Sequence, residues 1–284
     1  MAERGVIRVP PILALPILAL LTGCAVAPPV AVLPEPLSYP PAARDRMLRL
    51  AAGEWQDWGC VAVGLPGPAL APCAPAASPR AESAPENFPR VLAYWRAVPQ
   101  SGQAIPANRA RYVRALTGAG GENLWAEPFW SAAFISWVIG AAGVDAPEFV
   151  PDAAHSNYLD HLDALAAAWP ARAPFLPRDP RTHAPAPGDL VCRDRSGRPL
   201  GDWAERGAER GRFRPMHCDI VLHASPGVVE AVGGNVRDTV ALSRWATDGE
   251  GRLVPDPRPF LVIMENRLGR TPPYVSHLSQ DARS

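Results

Sequence analysis

The sequence has no excess of charge of either sign. Its 28 basic residues balance 28 acidic residues, so the formal net charge at pH 7 is zero. Nucleic-acid binding needs a cationic surface that neutralises phosphates, and polybasic membrane binding needs clustered positive charge. The composition therefore gives no support for a nucleic-acid partner or for a polybasic membrane patch.

Common metal-binding motifs are also lacking. There is no Cys-x-x-Cys pair and no His-Glu-x-x-His segment, so the sequence predicts neither a metal site nor another cofactor. Besides Cys24 there are four cysteines, an even number that predicts two disulfides in an oxidising compartment. Three pairings are possible, and local spacing favours Cys60–Cys73 with Cys192–Cys218.

The apolar run Val9–Leu21 is shorter than the ~20 residues that a membrane-spanning helix needs. It follows two arginines, as the core of a secretion signal does. Its end, Leu21-Thr22-Gly23-Cys24, resembles a bacterial lipobox. This resemblance implies a signal peptide over 1–23 and a lipid on Cys24, which would anchor the protein in the bacterial envelope. Cys24 is followed by Ala25 rather than Asp, which resembles the pattern of Gram-negative lipoproteins that are sorted to the outer membrane. The protein would then face the periplasm. The alternative is an ordinary signal peptide with a chance cysteine.

Hydrophobic residues make up 48% of the chain, which is enough for a folded core. The Pro/Ala/Val-rich segment 24–40 is expected to be an extended tether. Residues 41–120 are expected to form a helical N-terminal extension with a loop over 59–86. Its helices are predicted over 42–55, 88–98 and 108–116.

Residues 121–270 are predicted to form an α+β domain. The segment 127–143 is apolar nearly all round, which is typical of a buried helix, and a second helix is predicted over 156–169. Strands with a period of two follow without long helices between them, so the sheet is expected to be antiparallel. These strands are predicted over 188–192, 217–223, 228–232, 236–242 and 259–264. Residues 194–216 are interpreted as a surface insertion, and 271–284 as a C-terminal tail.

Four segments occur in the order found in papain-like cell-wall hydrolases of the CHAP and NlpC type. Trp130–Val138 (WSAAFISWV) resembles the family's Trp-Cys-Ala-x-Phe-Val-x-x-Val helix, whose cysteine is the nucleophile. Pro187–Val191 is similar to the Gly-Asp-Leu strand, and His217–Val221 to the strand of the catalytic histidine. Gly233–Val236 resembles the Glu-Gly-Asn segment of CHAP proteins. The resemblance covers about 125–265 and implies a papain-like domain, in an uncharacterised bacterial branch with serine at the nucleophile position.

The resemblance also implies a catalytic set and two residues that line the site: Ser131, His217 and Asn235, with Trp130 and Asp219. A nucleophile at a helix N-terminus gains from the helix dipole, while a histidine takes its proton and a third polar group orients the ring. Ser131 replaces the family's cysteine, and a hydroxyl is far less acidic than a thiol. Ser131 would therefore depend on His217 as general base.

Two further departures concern the group that orients His217. Gly233 replaces the CHAP glutamate, which leaves Asn235 as the candidate that holds the ring. Asp219 replaces a glycine, and on a strand it shares a face with His217, so it could line the site or orient the histidine.

Purely structural roles remain open for each of these residues. Ser131 could be a helix N-cap, His217 a buried strand histidine and Asn235 a turn residue, and Trp130 could belong to the core. His155 and Tyr158 lie at the start of the next predicted helix and could border the cleft. The alternative for His155 is a helix cap at the surface.

The implied function is a peptidoglycan amidase or peptidase that acts on cell-wall stem peptides. One alternative is an inactive papain-like module that binds such peptides or an envelope protein. A structural lipoprotein is a third possibility, but it leaves the motifs unexplained.

The lipid anchor is testable by Cys24→Ser. The variant should lose its acyl groups and leave the membrane fraction, because stable anchoring depends on several lipid chains at this residue. Membrane fractionation and the mass of the N-terminal peptide measure both effects. A wild-type protein that is soluble and carries no acyl mass would refute the anchor.

Overall fold

Helices dominate the first half of the described chain and strands the second, as the change in periodicity predicts. The computed structural model describes residues 33–74, 81–118, 123–255 and 258–273. The helices are α1 (Pro41–Asp57), α2 (Phe88–Arg96), α3 (Ser101–Leu116), α4 (Ser131–Ala141) and α5 (His155–Ala168). Short 3-10 turns cover Pro85–Asn87 and Ala204–Glu209.

The strands build one mixed sheet, and the α+β prediction is confirmed. They are β1 (Ala62–Gly64), β2 (Phe175–Arg178), β3 (Leu190–Asp194), β4 (Met216–Ser225), β5 (Val228–Val236), β6 (Thr239–Trp245) and β7 (Phe260–Asn266). The order across the sheet is β1-β6-β5-β4-β3-β7-β2. Every pairing is antiparallel except that of β1 with β6.

Helix α4 lies at the centre of the fold, and its predicted burial is confirmed. It packs on β4 and β5 on one side and on α1 and α2 on the other. Seven of its side chains are buried, including Phe134, Ile135 and Val138. A helix with apolar residues all round has no face that favours water. The predicted extension 41–120 thus supplies helices that cover α4 in the same compact unit.

The predicted loop 59–86 contains a strand that the sequence did not reveal. β1 has only three residues, too few to show a period, and it forms the edge of the sheet by pairing with β6. A buried ion pair holds the chain beyond it, because Arg244 donates to the carbonyls of Leu65, Pro66 and Gly67 and to Glu230. The loop is therefore fixed to the edge of the sheet.

Residues 194–216, interpreted as a surface insertion, connect β3 to β4 and are bound to the rest of the fold by paired charges. Arg206 is buried and donates two hydrogen bonds of 2.8 Å to the Asp160 carboxylate on α5. Arg214 pairs with Asp194 and Glu209. Paired charges allow a polar, aperiodic segment to pack, which hydrophobic periodicity cannot reveal.

The described part of the predicted tether is extended but lies on the domain. The Glu148 carboxylate accepts hydrogen bonds of 2.8 Å from the Leu37 amide and from the Tyr39 hydroxyl. The Trp169 indole donates to the Leu33 carbonyl at 3.1 Å. Residues 33–40 therefore belong to the folded unit, while Cys24 lies outside the described residues.

Among the helices of the described residues, none has the length and apolar character required to cross a membrane.

Both predicted cysteine pairs lie at bonding distance: Cys60 with Cys73, and Cys192 with Cys218. The second pair joins opposite residues of β3 and β4.

Removal of the second bridge by Cys192→Ala with Cys218→Ala should destabilise the protein. The cysteines are 26 residues apart in sequence, and loop-closure entropy for this length predicts a loss of ~3–4 kcal/mol in the free energy of unfolding. Denaturant unfolding measures the loss, and non-reducing peptide mapping checks the bond. Free thiols at both positions in the wild type would contradict the pairing.

Candidate active site

Ser131 is the first residue of α4 and is partly exposed. The N-cap position belongs to Trp130, which makes no side-chain capping bond. The N-cap interpretation of Ser131 is therefore wrong. Its hydroxyl lies at the positive end of a buried helix, where the dipole favours developing negative charge.

The hydrogen-bond partner of Ser131 is His155, the first residue of α5. Ser131 Oγ lies 2.7 Å from His155 Nε2, and His155 Nδ1 lies 2.5 Å from the Tyr158 hydroxyl. The loop before α5 is bound to α4, since Ser136 Oγ donates to the Asp152 carbonyl at 3.1 Å and accepts from the Asp152 amide at 3.2 Å. These bonds bring the start of α5 beside the start of α4.

The His155 ring is buried, which determines its charge. Burial lowers the pKa of His155 well below its usual 6.5, and the nearby His217 and Arg195 lower it further. Burial also raises the pKa of Tyr158 well above 10, with a contribution from Asp219. At neutral pH the site therefore contains an uncharged imidazole between two hydroxyls.

A second histidine stands next to the first. The rings of His155 and His217 meet edge to face with centroids 5.4 Å apart. His217 Nε2 lies 3.2 Å from Asp219 Oδ1, so this carboxylate orients the ring. Both roles considered for Asp219 are compatible with the structure, since it contacts the histidine and also lines a cavity of the site.

The expected pair of Ser131 with His217 is not the one formed, because Ser131 bonds to His155 instead. His155 is buried rather than a cap at the surface. Only the spacing of His155 and Tyr158, one turn apart on a helix, could have indicated their contact, since tertiary packing decides which histidine meets the serine.

Trp130 was expected to line the site, but it packs in the core next to Ser131 and does not line the site. Its ring is fully buried and stacks on Trp58 and Tyr94. Its indole N–H donates to Glu82. The side-chain amide of Asn235 lies 3.2 Å from the indole and backbone nitrogens of Trp130, and it accepts from both N–H groups when its oxygen is assigned to the side that faces them. Asn235 thus holds Trp130 and not the expected His217 ring.

The carboxyl group of Glu82 titrates near neutral pH. Burial raises its pKa to about 7, and Asp238 contributes, although the bond from Trp130 opposes the rise.

Two adjoining cavities open onto these side chains. The larger measures about 750 Å³ and is lined by Ser131 and His155. The smaller measures about 280 Å³ and is lined by His217 and Asp219. Three residues line both cavities and join them into one cleft: Arg195, Asn235 and Arg237.

The chain matches the family described as an uncharacterized protein conserved in bacteria, DUF2272, over residues 82–274. This match covers more than half of the 284 residues. The chain belongs to the DUF2272 family. No curated protein and no solved structure matches it.

The DUF2272 segment contains the whole polar site, from Glu82 through Ser131 and His155 to Asn235. It leaves out α1, β1 and the Cys60–Cys73 bridge. In this DUF2272 protein, the ring stack under Trp130 is therefore completed by Trp58 from outside the matched segment.

The described residues contain no group of three or more His, Cys, Asp or Glu side chains placed to hold a metal ion.

Two glycines leave room for the site. A Cβ at Gly233 would lie 1.8 Å from Asp219 Oδ1 and 3.0 Å from His217 Nε2. A Cβ at Gly234 would lie 2.5 Å from the Cβ of Phe134. Asp219 thus fills the space into which a side chain at 233 would point, and the two departures at these positions compensate each other.

This compensation predicts a double-mutant effect. Gly233→Glu alone should lower the free energy of unfolding by ~1–3 kcal/mol, because the new side chain collides with Asp219. Gly233→Glu combined with Asp219→Gly should recover most of the loss. Urea unfolding of both variants measures it.

Gly197→Glu is the matched control, since its Cβ meets open space, and it should change stability by less than ~0.5 kcal/mol. If the double variant is no more stable than Gly233→Glu, the compensation is wrong.

Proposed function

We propose that this DUF2272 protein is a serine hydrolase that cleaves amide or peptide bonds in peptidoglycan stem peptides. The observation that carries the proposal is the 2.7 Å contact between Ser131 Oγ and His155 Nε2 at the N-terminus of α4, inside an open cleft. A hydroxyl becomes a useful nucleophile when an adjacent base accepts its proton.

The reaction would proceed by acyl transfer. Ser131 Oγ attacks the substrate carbonyl while its proton passes to His155 Nε2. The protonated His155 then gives that proton to the leaving amine as the C–N bond breaks, which leaves an ester on Ser131. Water attacks the ester with His155 again as base, and Ser131 is regenerated.

This role requires one tautomer of His155. Nε2 must be unprotonated to accept from Ser131, so Nδ1 carries the hydrogen and donates it to the Tyr158 oxygen. The first amides of α4 have no acceptor within the helix and lie at its positive end, so they are candidate donors to the oxyanion.

The architecture supports a papain-like relationship. A buried helix with the nucleophile at its N-terminus precedes an antiparallel sheet, and α4 packs on the strands that carry His217 and Asn235. The difference is that the base comes from α5. In this proposal His217, oriented by Asp219, is the second histidine of the site and not the partner of the nucleophile.

The cleft has the character of a ligand-binding site. Phe129 and Phe213 line it and are 72% and 73% exposed. Exposed aromatic rings beside a few polar groups are typical of sites that bind organic ligands. The lipobox resemblance adds the location, since an envelope lipoprotein would meet peptidoglycan.

The opposite tautomer favours a second candidate function. If the Tyr158 hydroxyl donates to Nδ1, then His155 Nε2–H donates to Ser131 and no base faces the nucleophile. The cleft would then bind cell-wall peptides without cleaving them.

Digestion of purified sacculi separates the two candidates. The protein carrying Cys24→Ser should release soluble peptide fragments. Added Ser131→Ala or His155→Ala should reduce the rate by ~10²-fold or more, because each removes a member of the nucleophile–base pair. Chromatography of the released fragments gives the rates.

Ser101→Ala is the matched control, since Ser101 is the first residue of α3 and does not line the cleft. The pH profile is a second readout. His155 must be neutral to act, and its pKa is lowered, so kcat/KM should stay high as the pH falls through 6.5 and decline only well below it. Binding without release by the unmutated site would favour the second candidate.

A further inference from the structure

Two arginines stand where the cavities of the cleft join. Arg195 and Arg237 line both cavities and are exposed. Among the described residues, neither guanidinium makes a hydrogen bond or an ion pair. Arg214 in the same cleft differs, because it is paired with Asp194 and Glu209. The positive charges of Arg195 and Arg237 are therefore available to a ligand.

Arg237 lies beside the cleft in a turn whose backbone conformation is energetically unfavourable for arginine. Val236 pairs with Thr239, so the turn between β5 and β6 consists of Arg237 and Asp238. Their φ angles are +51° and +61°. A two-residue turn with both φ angles positive favours sequences such as Asn-Gly, and strain of this kind concentrates at functional sites.

The acidic groups of the cleft do not neutralise these arginines. Asp194 and Asp219 are buried and engaged by Arg214 and His217. Asp238 is exposed and makes the turn with Arg237. The junction thus offers two guanidinium groups against one exposed carboxylate.

Arg195 also lies close to the candidate base. Its charge contributes to the lowered pKa of His155. A group bound by Arg195 would therefore lie within the range of the Ser131–His155 pair.

We infer that Arg195 and Arg237 form a subsite that binds a free carboxylate of the peptide substrate next to the bond presented to Ser131. Planar guanidinium groups bind carboxylates through paired, charge-assisted hydrogen bonds. This inference rests on the proposed function, because it assigns the class of peptide that the same cleft takes.

Binding in a Ser131→Ala background tests the subsite apart from turnover. The probes are a peptidoglycan stem tetrapeptide with free carboxylates and the same peptide with every carboxylate amidated. By calorimetry at low salt, the free-acid peptide should bind about tenfold more tightly, a preference that added salt reduces. In the variant Arg195→Gln with Arg237→Gln the two peptides should bind alike.

Two control variants test whether a general loss of positive charge, or a loss of folding, causes the lost preference for the free-acid peptide. Arg96→Gln with Arg109→Gln removes the same charge from exposed helical positions that line neither cavity, and it should keep the preference. Arg237→Asn should weaken the preference without lowering Tm, because asparagine tolerates positive φ better than arginine.

The outcomes separate the subsite from the hydrolase. Equal binding of both peptides, binding of neither, or a preference that survives loss of both arginines overturns the subsite. A carboxylate preference in binding without any cleavage by the wild type supports the subsite and removes the hydrolase. Cleavage of both peptides at equal rates, with equal binding, leaves the hydrolase and removes the subsite.

Discussion

The burial of Trp130 is the constraint on which the position of Ser131 depends. Its ring stacks on Trp58 and Tyr94, donates to Glu82 and lies against the side-chain amide of Asn235, so groups from four separate parts of the chain converge on it. The next residue is the nucleophile candidate. Because Trp130 is fixed on several sides, the first turn of α4 is also fixed, and a candidate site needs this kind of rigid support.

The polar groups above Trp130 depend on one another in the same way. Asp219 occupies the space that Gly233 leaves, and it orients a histidine whose ring contacts that of His155. His155 in turn meets Ser131 and Tyr158. The role of each of these residues depends on its contacts with other parts of the chain, and none can be assigned from the residue alone.

This dependence explains what the sequence could predict. Apolar periodicity located the buried helix α4 and the strands from β3 to β7, and local spacing gave both cysteine pairs. The short strands β1 and β2 were missed because three or four residues show no period. The partner of Ser131 was also missed, since nothing in the sequence shows that the loop at Asp152 brings His155, at the start of α5, against α4. Arg206 and Asp160 show the same limit, because burial of a charged pair leaves no hydrophobic signal.

Two buried titratable groups, Glu82 and His155, have opposite effects on proton binding. The pKa of Glu82 is raised from 4.5 to about 7, so its contribution to stability is complete below pH 4.5 and is lost as the pH rises toward 7. The pKa of His155 is lowered from 6.5, so its contribution is complete above pH 6.5 and is lost as the pH falls. Between pH 4.5 and 6.5, folding therefore favours proton uptake at Glu82 and proton release at His155. The two changes oppose each other, so each group weakens the pH dependence of stability that the other alone would impose in weakly acidic surroundings.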